Sequence, residues 1–190
     1  MKKIIIIEGY LAAGKSTFAL KLSKKVGVPY LSKDSFKTAL CKNIRIRNRE
    51  ESSMYSMITF EGILYVTEKM MEREYPIIIE GNFTPRGVKK IDESDCIRRL
   101  IDKYQYESLT FKFWGKTSVL YKRFVERENT VERGEANKMK EEFSYKDFDE
   151  WCHNLDTFDV GGKTIKINTT NFENVNYSVY LDVSKNFFSE

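Results

Sequence analysis

The chain has 190 residues, 41% of them hydrophobic and 32% charged, which is enough for one well-packed domain and too little for two of the usual size. A formal net charge of +4, from 32 Lys and Arg against 28 Asp and Glu, suits phosphate ligands without requiring nucleic acid. We therefore expect a single domain over residues 1–190, and the charge alone identifies no partner.

The cysteines and the first apolar run indicate the cellular environment. Cys41, Cys96 and Cys152 are odd in number and widely spaced, which is typical of reduced thiols and favours a cytoplasmic location. The apolar run at 4–7 is too short for a signal peptide and leads into a Gly-rich loop. No apolar stretch approaches the roughly 20 residues that span a bilayer. We therefore expect no membrane partner.

Short apolar runs alternate with longer amphipathic segments along the chain. The runs are predicted to be strands at 3–7, 29–32, 76–80, 109–114 and 164–167. The amphipathic segments are predicted to be helices at 15–25, 34–40, 52–74, 86–104, 117–128, 137–151 and 174–188. Because the runs lack strict alternation, they suit parallel strands buried on both faces. The pattern predicts a three-layer α/β fold, a five-stranded parallel sheet with helices on both faces and ligands at the carboxyl ends of the strands.

The first strand leads into a segment that fits the P-loop pattern GxxxxGK[ST]. In the sequence GYLAAGKST, glycines allow the backbone to wrap a phosphate, which the start of a helix attracts. Lys15 is predicted to reach the β- and γ-phosphates, and Ser16 to supply a hydroxyl to Mg²⁺. The predicted nucleotide-binding residues of this loop are Gly9, Ala12, Ala13, Gly14, Lys15, Ser16 and Thr17. The alternative is a Gly-rich turn that binds nothing.

A P-loop alone does not separate kinases from GTPases and motor ATPases. The sequence has no Asn-Lys-x-Asp guanine signature, and no Asp-x-x-Gly follows the third strand. The chain is also too short to carry the second, sensor-bearing domain of a ring-forming motor. These observations favour a small-molecule kinase.

The ends of the second and third strands carry candidate acceptor and metal residues. After the second strand, Asp34 is predicted to be the general base, and Lys37, one turn later, to hold a substrate phosphate. The alternative is that Asp34 or Ser32 only caps the helix. At the end of the third strand, Glu80 is predicted to order Mg²⁺ through a bound water, and Asn82 or Phe83, just beyond it, to reach the acceptor.

The two acidic residues at the ends of the first and third strands have alternative interpretations. Glu8 ends the first strand and competes with Glu80 as the acid of the site, but we favour a structural role for it inside the crevice. Glu80 itself could instead be a solvated residue at a strand end. Gly81 would let the chain bend beside the nucleotide.

Downstream, a very polar segment at about 123–137 is predicted to be a helical lid. Arg123 and Arg127 lie four residues apart on one helical face, and Arg133 follows. Arginines on a closing segment would exclude water and neutralise charge during phosphoryl transfer, with Arg127 catalytic, Arg123 on the nucleotide and Arg133 on the substrate. The alternative is a solvated helix with Glu–Arg pairs.

The remaining conspicuous residues have weaker interpretations. The loop after the fifth strand is predicted to support adenine through Thr170, although Thr170 or Asn171 could simply cap the last helix. The basic stretch at 42–49 could line an anionic acceptor or a nucleic-acid end, but a solvated loop is favoured. The spacing of the aromatic residues at 143–148 indicates that they pack a helix. His153 is predicted to lie at the surface and not to be catalytic.

These motifs together resemble one family over nearly the whole chain. The segments GYLAAGKST, LSKDSFK, PIIIEGNFTP, RFVERENTVERG and KINTTNFENV are similar to those of the AAA-domain P-loop kinases, which include zeta-toxin-like, chloramphenicol-phosphotransferase-like and polynucleotide 5′-hydroxyl kinase domains. The resemblance implies ATP and Mg²⁺ as cofactors, a nucleoside-monophosphate-kinase-like fold, a substrate-side acid at Asp34, a basic residue at Lys37 and lid arginines on the phosphates.

The chain departs from this family at two places. Ser35 stands where many relatives have a second acid, and Gly134 follows Arg133 without the His-Pro-Gly-type segment of their lids. The acceptor is therefore expected to differ from theirs. We expect an ATP-dependent phosphotransferase acting on a hydroxyl of a small molecule or nucleotide-type acceptor. The alternatives are a polynucleotide 5′-hydroxyl kinase and a non-catalytic ATP-binding regulator. The acceptor and the oligomeric state are not predicted.

Overall fold

The computed structural model describes residues 2–85, 91–128, 130, 133–139 and 141–189. The strands are β1 (Lys3–Gly9), β2 (Tyr30–Ser32), β3 (Ile77–Glu80), β4 (Glu107–Trp114) and β5 (Lys163–Asn168). The helices are α1 (Lys15–Val26), α2 (Lys33–Leu40), α3 (Arg49–Glu72), α4 (Glu93–Tyr104), α5 (Thr117–Glu128), α6 (Tyr145–Asn154) and α7 (Tyr177–Ser189).

The strands form one parallel sheet in the order β2-β3-β1-β4-β5, which confirms the predicted α/β fold. In the register of the central strands, Ile7 of β1 lies beside Glu80 of β3, and Gly9 lies beside Phe113 of β4. Because all strands run the same way, their carboxyl ends meet at one edge, where the P-loop follows β1.

The isoleucines of β1 explain the three layers. Successive side chains of a strand point to opposite faces of the sheet. Ile5 and Ile7 pack into a core with α1 and α7, whereas Ile4 and Ile6 pack into a second core with α3 and α4. All four are completely buried. Each contributes about 1.5–3 kcal/mol through burial, which explains why the run is continuously apolar.

Four predicted helix boundaries are corrected by local capping. The helix predicted over 86–104 begins at Glu93, because Asp92 accepts a hydrogen bond from the backbone of Asp95 as its N-cap. Residues 86–90 of that prediction lie outside the described residues. The helix predicted over 52–74 begins earlier, at Arg49, where Asn48 caps it.

The other two corrections concern the last two helices. The helix predicted over 137–151 begins at Tyr145, because Ser144 and Asp147 form a capping box there. The last helix begins at Tyr177 instead of 174, since Asn171 caps a separate 3-10 turn over Phe172–Asn174.

The three cysteines, Cys41, Cys96 and Cys152, are free thiols. Within the described ranges, none of the helices combines the length and the apolar character needed to cross a bilayer.

Candidate active site

Two glycines give the P-loop its shape. Gly9 has φ of +122°, and a Cβ atom at this position would overlap the carbonyl oxygen of Phe113. Gly14 has φ of +86° and begins α1, and a Cβ atom there would lie 3.0 Å from the ring of Phe172. Since Gly14 has no side chain, the first turn of α1 has no side-chain cap. Its backbone N–H groups remain available to an anion.

Lys15 lies buried within the P-loop and holds the loop in place. Its Nζ donates hydrogen bonds to the carbonyl oxygens of Gly9 at 3.0 Å and Tyr10 at 2.6 Å. Burial lowers the pKa of Lys15, and the nearby carboxylates of Glu80 and Asp34 oppose that effect. A phosphate in the loop would stabilise the charged ammonium more strongly than the neutral carbonyls do.

Ser16 and Glu80 connect the P-loop to the end of β3. The hydroxyl of Ser16 donates to Oε1 of Glu80 at 3.1 Å. Oε2 of Glu80 is buried and has no hydrogen-bond partner among the described residues. Burial raises the pKa of Glu80, although the charge of Lys15 opposes the rise. This carboxylate therefore lies in a place that favours a bound cation beside it.

Two cavities adjoin the P-loop. The first, called here the P-loop cavity, has a volume of about 420 Å³. Its lining consists of Leu11, Ala12, Ala13, Gly14, Lys15, Ser16, Thr17, Asp34, Glu80, Gly81, Asn82, Arg123, Phe124, Arg127, Arg133 and Phe172. Of the fifteen residues assigned to the site from sequence, Gly9, Lys37 and Thr170 are not part of this lining.

The second cavity, called here the front cavity, has a volume of about 360 Å³. Its lining consists of Leu11, Lys33, Asp34, Lys37, Arg49, Ser52, Ser53, Ser56, Asn82, Phe124, Arg133, Asn137, Met139, Phe143 and Trp151. The two cavities share Leu11, Asp34, Asn82, Phe124 and Arg133. The shared residues place the carboxylate of Asp34 where the cavities meet.

Asp34 is free to take a chemical role because a neighbour caps its helix. Ser32 is the N-cap of α2 and accepts a hydrogen bond from the backbone of Ser35. The Oδ2 atom of Asp34 accepts from Arg133 at 3.1 Å and lies 4.0 Å from the guanidinium of Arg127. Burial and the neighbouring charge of Arg133 lower the pKa of Arg127. Two arginines therefore converge on one half-exposed carboxylate.

The segment predicted to be the lid packs on α2. Arg127 belongs to α5, and Arg133 also pairs with Glu128 at 2.7 Å. Asn137 donates to the carbonyl oxygen of Asp34 at 2.9 Å and to the hydroxyl of Thr38 at 2.8 Å. Residues 129, 131 and 132 of the predicted lid lie outside the described residues. Its closing motion stays a prediction.

Arg123 and the loop after β5 form one end of the P-loop cavity. The guanidinium of Arg123 donates to the carbonyl oxygens of Thr169 at 2.7 Å and Thr170 at 2.8 Å. It also stacks on the ring of Phe172, 3.9 Å from the ring centre. The hydroxyl of Thr170 accepts from the backbone of Lys116, so Thr170 holds the loop. The sequence reasoning missed Phe172, whose exposure next to Gly14 no local pattern indicates.

Lys37 and Lys33 are both held in the wall of the front cavity. Nζ of Lys37 donates to the hydroxyls of Ser52 at 2.8 Å and Ser56 at 3.0 Å, which ties α2 to α3. Lys33, which the sequence reasoning missed, forms a buried ion pair with Glu93 at 2.6 Å. A lysine at the first position of α2 looks like an exposed residue in the sequence, and only its distant partner reveals its burial.

Three residues weighed from the sequence lie outside both cavities. Glu8 is completely buried on β1, 3.6 Å from Nζ of Lys112, and burial raises its pKa to about 7. Phe83 is also completely buried and packs against Phe60, so Asn82 alone of the pair reaches the front cavity. His153 is exposed, and its Nδ1 lies 2.8 Å from the carbonyl oxygen of Asp149.

No protein-family model matches this sequence, and no curated protein matches it significantly. Solved structures do match the fold. A candidate kinase from Chloroflexus aurantiacus superimposes with a TM-score of 0.84 at 19% identity, covering 97% of each chain. Shikimate kinase from Bacteroides thetaiotaomicron gives 0.56 at 12% identity, over 99% of each chain. A gluconokinase from Sinorhizobium meliloti gives 0.55 at 12% identity, over 99% of this chain and 92% of that one.

These similarities define the architecture of the chain as the P-loop kinase fold, which the sequence resemblance implies. At such identities the likeness concerns the fold. The chemistry has to be argued from the site.

Proposed function

We propose that this chain is an ATP-dependent phosphotransferase that moves the γ-phosphoryl group of ATP onto a hydroxyl of a small-molecule or nucleotide-type acceptor. The observation that carries the proposal is the junction of the two cavities at Asp34. A donor in the P-loop cavity and an acceptor in the front cavity would meet at a carboxylate and two arginines. The P-loop kinase fold supports the same conclusion.

The P-loop cavity suits the triphosphate of ATP. Backbone N–H groups at the start of α1 and the buried ammonium of Lys15 provide the donors for the phosphates. When ATP binds, the ammonium of Lys15 would exchange the carbonyl oxygens of Gly9 and Tyr10 for phosphate oxygens, and the phosphates would then hold the loop. Phe172 and Arg123 offer a flat surface at the end of the cavity where the base would lie.

The residues at the end of β3 fit Mg²⁺. Magnesium prefers oxygen ligands and usually keeps several waters, with one or two protein groups and substrate phosphates completing its shell. Ser16 offers a hydroxyl, and the second oxygen of Glu80 is buried without a hydrogen bond in the described chain. No cluster of three or more His, Cys, Asp or Glu that could hold a metal occurs among the described residues. When bound, Mg²⁺ would neutralise charge that develops on the phosphates.

The transfer step follows from the position of Asp34. The acceptor oxygen attacks the γ-phosphorus, a new P–O bond forms, and the bond to the β–γ bridging oxygen breaks with its electrons remaining on ADP. The acceptor proton passes to the carboxylate of Asp34. Arg127 and Arg133, which contact Asp34 here, would turn to the transferring phosphoryl group and neutralise its charge. The same movement frees Asp34 to accept the proton.

A transfer assay tests the proposal. ATP labelled at the γ-phosphate is incubated with Mg²⁺ and a panel of hydroxyl compounds that includes nucleosides, sugars and 5′-hydroxyl oligonucleotides. We expect a labelled product that Lys15→Ala abolishes. Lys24→Ala is the matched control, because Lys24 is an exposed lysine at the other end of α1 and should retain full activity. Labelled oligonucleotide alone would indicate the polynucleotide kinase.

The Asp34→Asn variant tests the assignment of the base. Asparagine keeps the shape of the side chain but cannot take a proton, so we expect kcat to fall by about 10²-fold or more, with little change in the affinity for ATP. The measurement is kcat with the acceptor found in the panel. If Asp34→Asn retained the full rate, the base would have to be another group. No labelled product with any compound, despite ATP binding, would favour a regulator instead.

A further inference from the structure

The front cavity carries an excess of positive charge. Its charged lining residues are Lys33, Asp34, Lys37, Arg49 and Arg133. The charge of Lys33 is neutralised by Glu93, and that of Arg133 by Glu128 and Asp34. Asp34 is the single carboxylate among the lining residues that the structure describes, and it is already shared with arginine. The other cationic residues of the described lining are Lys37, which donates to the hydroxyls of Ser52 and Ser56, and Arg49.

Among the cationic residues that line the front cavity, Arg49 has a guanidinium group that is available to bind a ligand. It is exposed at the first position of α3, and within the described ranges its side chain makes no hydrogen bond or ion pair. The pKa of Asp147 is lowered mainly by the hydrogen bonds from Ser144, and the charge of Arg49 makes a smaller contribution. A guanidinium that faces a cavity can bind a carboxylate or phosphate through two parallel hydrogen bonds.

Another part of the front cavity is apolar and partly aromatic. Met139 and Phe143 precede α6, and Trp151 lies on α6; all three are half-buried and line the cavity. Phe143 is fixed by packing against Phe124 and Phe148, with ring centres 5.7 and 6.4 Å apart. A rigid aromatic surface of this kind favours a flat ring over a flexible chain.

The size of the cavity limits the ligand further. A volume of about 360 Å³ lies at the lower end of the range of small-molecule pockets, which is about 300–1,000 Å³. This space suits one ring or a nucleoside-sized compound, and the lining offers hydroxyl groups at Ser52, Ser53 and Ser56 for its polar substituents.

We infer that the acceptor is a hydroxyl-bearing ring compound with a carboxylate or phosphate group, and that Arg49 selects it by binding this anion. The inference rests on the proposed function for the role of Asp34, which would take the hydroxyl. The ring would lie against Phe143 and Trp151. Arg49 is thus a specificity-determining residue, and neutral analogues of the acceptor would bind weakly.

Binding measurements on pairs of compounds, each pair an anionic compound and its neutral counterpart, test this inference without requiring turnover. The P-loop cavity is first saturated with a non-hydrolysable ATP analogue and Mg²⁺. Calorimetry then compares uridine 5′-monophosphate with uridine, and 4-hydroxycyclohexanecarboxylate with its amide. We expect the anionic member of at least one pair to bind about tenfold or more tightly than its neutral partner, as a charge-assisted hydrogen bond provides. The pair that shows the preference identifies phosphate or carboxylate.

Variants assign the preference to Arg49. Arg49→Ala should bring the two members of the pair within about twofold of each other, whereas Arg49→Lys should keep part of the difference. Arg47→Ala is the matched control and should keep all of it, because Arg47 is exposed in the preceding loop and lines a different cavity. Equal binding within both pairs, or a preference that survives in Arg49→Ala, would overturn the inference. Loss of phosphoryl transfer with the binding preference intact would instead count against the proposed function.

Discussion

At the residue scale, Glu8 lies at a position in the folded chain that is unfavourable for its charged form. It is completely buried, and neither carboxylate oxygen has a hydrogen-bond partner among the described residues. Burial raises its pKa from near 4.5 to about 7, while the charges of Lys112 and Lys15 oppose the rise and that of Asp156 adds to it. The folded state therefore favours the protonated form.

This shift predicts a pH dependence of stability. Because the pKa is raised on folding, the stabilisation is complete below about pH 4.5 and is lost as the pH rises through about 7. The shift corresponds to roughly 3 kcal/mol. Glu8→Gln, which stays neutral, should therefore be more stable than the wild type at pH 8, by up to about 3 kcal/mol. The measurement is urea unfolding at several pH values.

The control for this experiment is Glu61→Gln, since Glu61 is exposed on α3. Its stability should follow the wild type at every pH. The account of Glu8 would be wrong if the difference between Glu8→Gln and the wild type did not change between pH 4.5 and 8.

The residues of the site differ in how far the sequence could predict them. The P-loop is contiguous, so its spacing alone predicts which residues from Ala12 to Thr17 line a cavity. Asp34 lies just beyond the end of β2 and Glu80 is the last residue of β3, and parallel strands bring such ends together. Arg49 and Trp151 reach the front cavity from segments far apart in the chain. Only tertiary packing joins them, so no local pattern could assign them to one cavity.

At the element scale, the ion pair between Lys33 and Glu93 joins the beginnings of α2 and α4. Both side chains are nearly inaccessible, and Glu93 also accepts a hydrogen bond from the backbone of Thr84. The ammonium of Lys33 lies 5.3 Å from the ring centre of Phe60, so an uncompensated charge there would face an apolar core. The pair thus fixes α2, and with it Asp34, relative to α4.

Removing one member of this pair should lower the free energy of unfolding strongly. Glu93→Gln leaves the charge of Lys33 buried without an anion, and we expect unfolding free energy to fall by about 3–5 kcal/mol in guanidinium titrations. The exposed pair of Lys69 and Glu72 on α3 offers the comparison, and Glu72→Gln should lower the unfolding free energy far less than Glu93→Gln. Equal losses in both variants would show that the buried pair does not hold α2 in place.

Strands and helices could be predicted well where the pattern of apolar residues is strong. They could be predicted poorly where a capping residue determines the boundary of a helix. The five strands lie where their apolar runs predict them, because the strands of a parallel sheet that is covered on both faces are rich in apolar residues. The start of α6 could not be read from apolar spacing alone. The Ser144 and Asp147 capping box determines it, and the aromatic pattern around Phe143 continues across that boundary.

At the scale of the whole molecule, the fold brings the two cavities to one edge of the sheet. The P-loop cavity is built from the ends of β1 and β3, and the front cavity from α2, α3 and the segment before α6. Asp34, Arg133 and Asn82 belong to both linings. This arrangement predicts that donor and acceptor are bound together and that the phosphoryl group passes directly from one to the other.

The stereochemical course of transfer is the most direct test of this claim. ATP made chiral at the γ-phosphorus with sulfur and oxygen isotopes is used to phosphorylate the best acceptor of the panel, and the configuration of the product is determined. A single in-line displacement between the two cavities predicts inversion. Retention would contradict the account, because it requires two displacements through a phosphorylated side chain, and so would the absence of transfer to every acceptor.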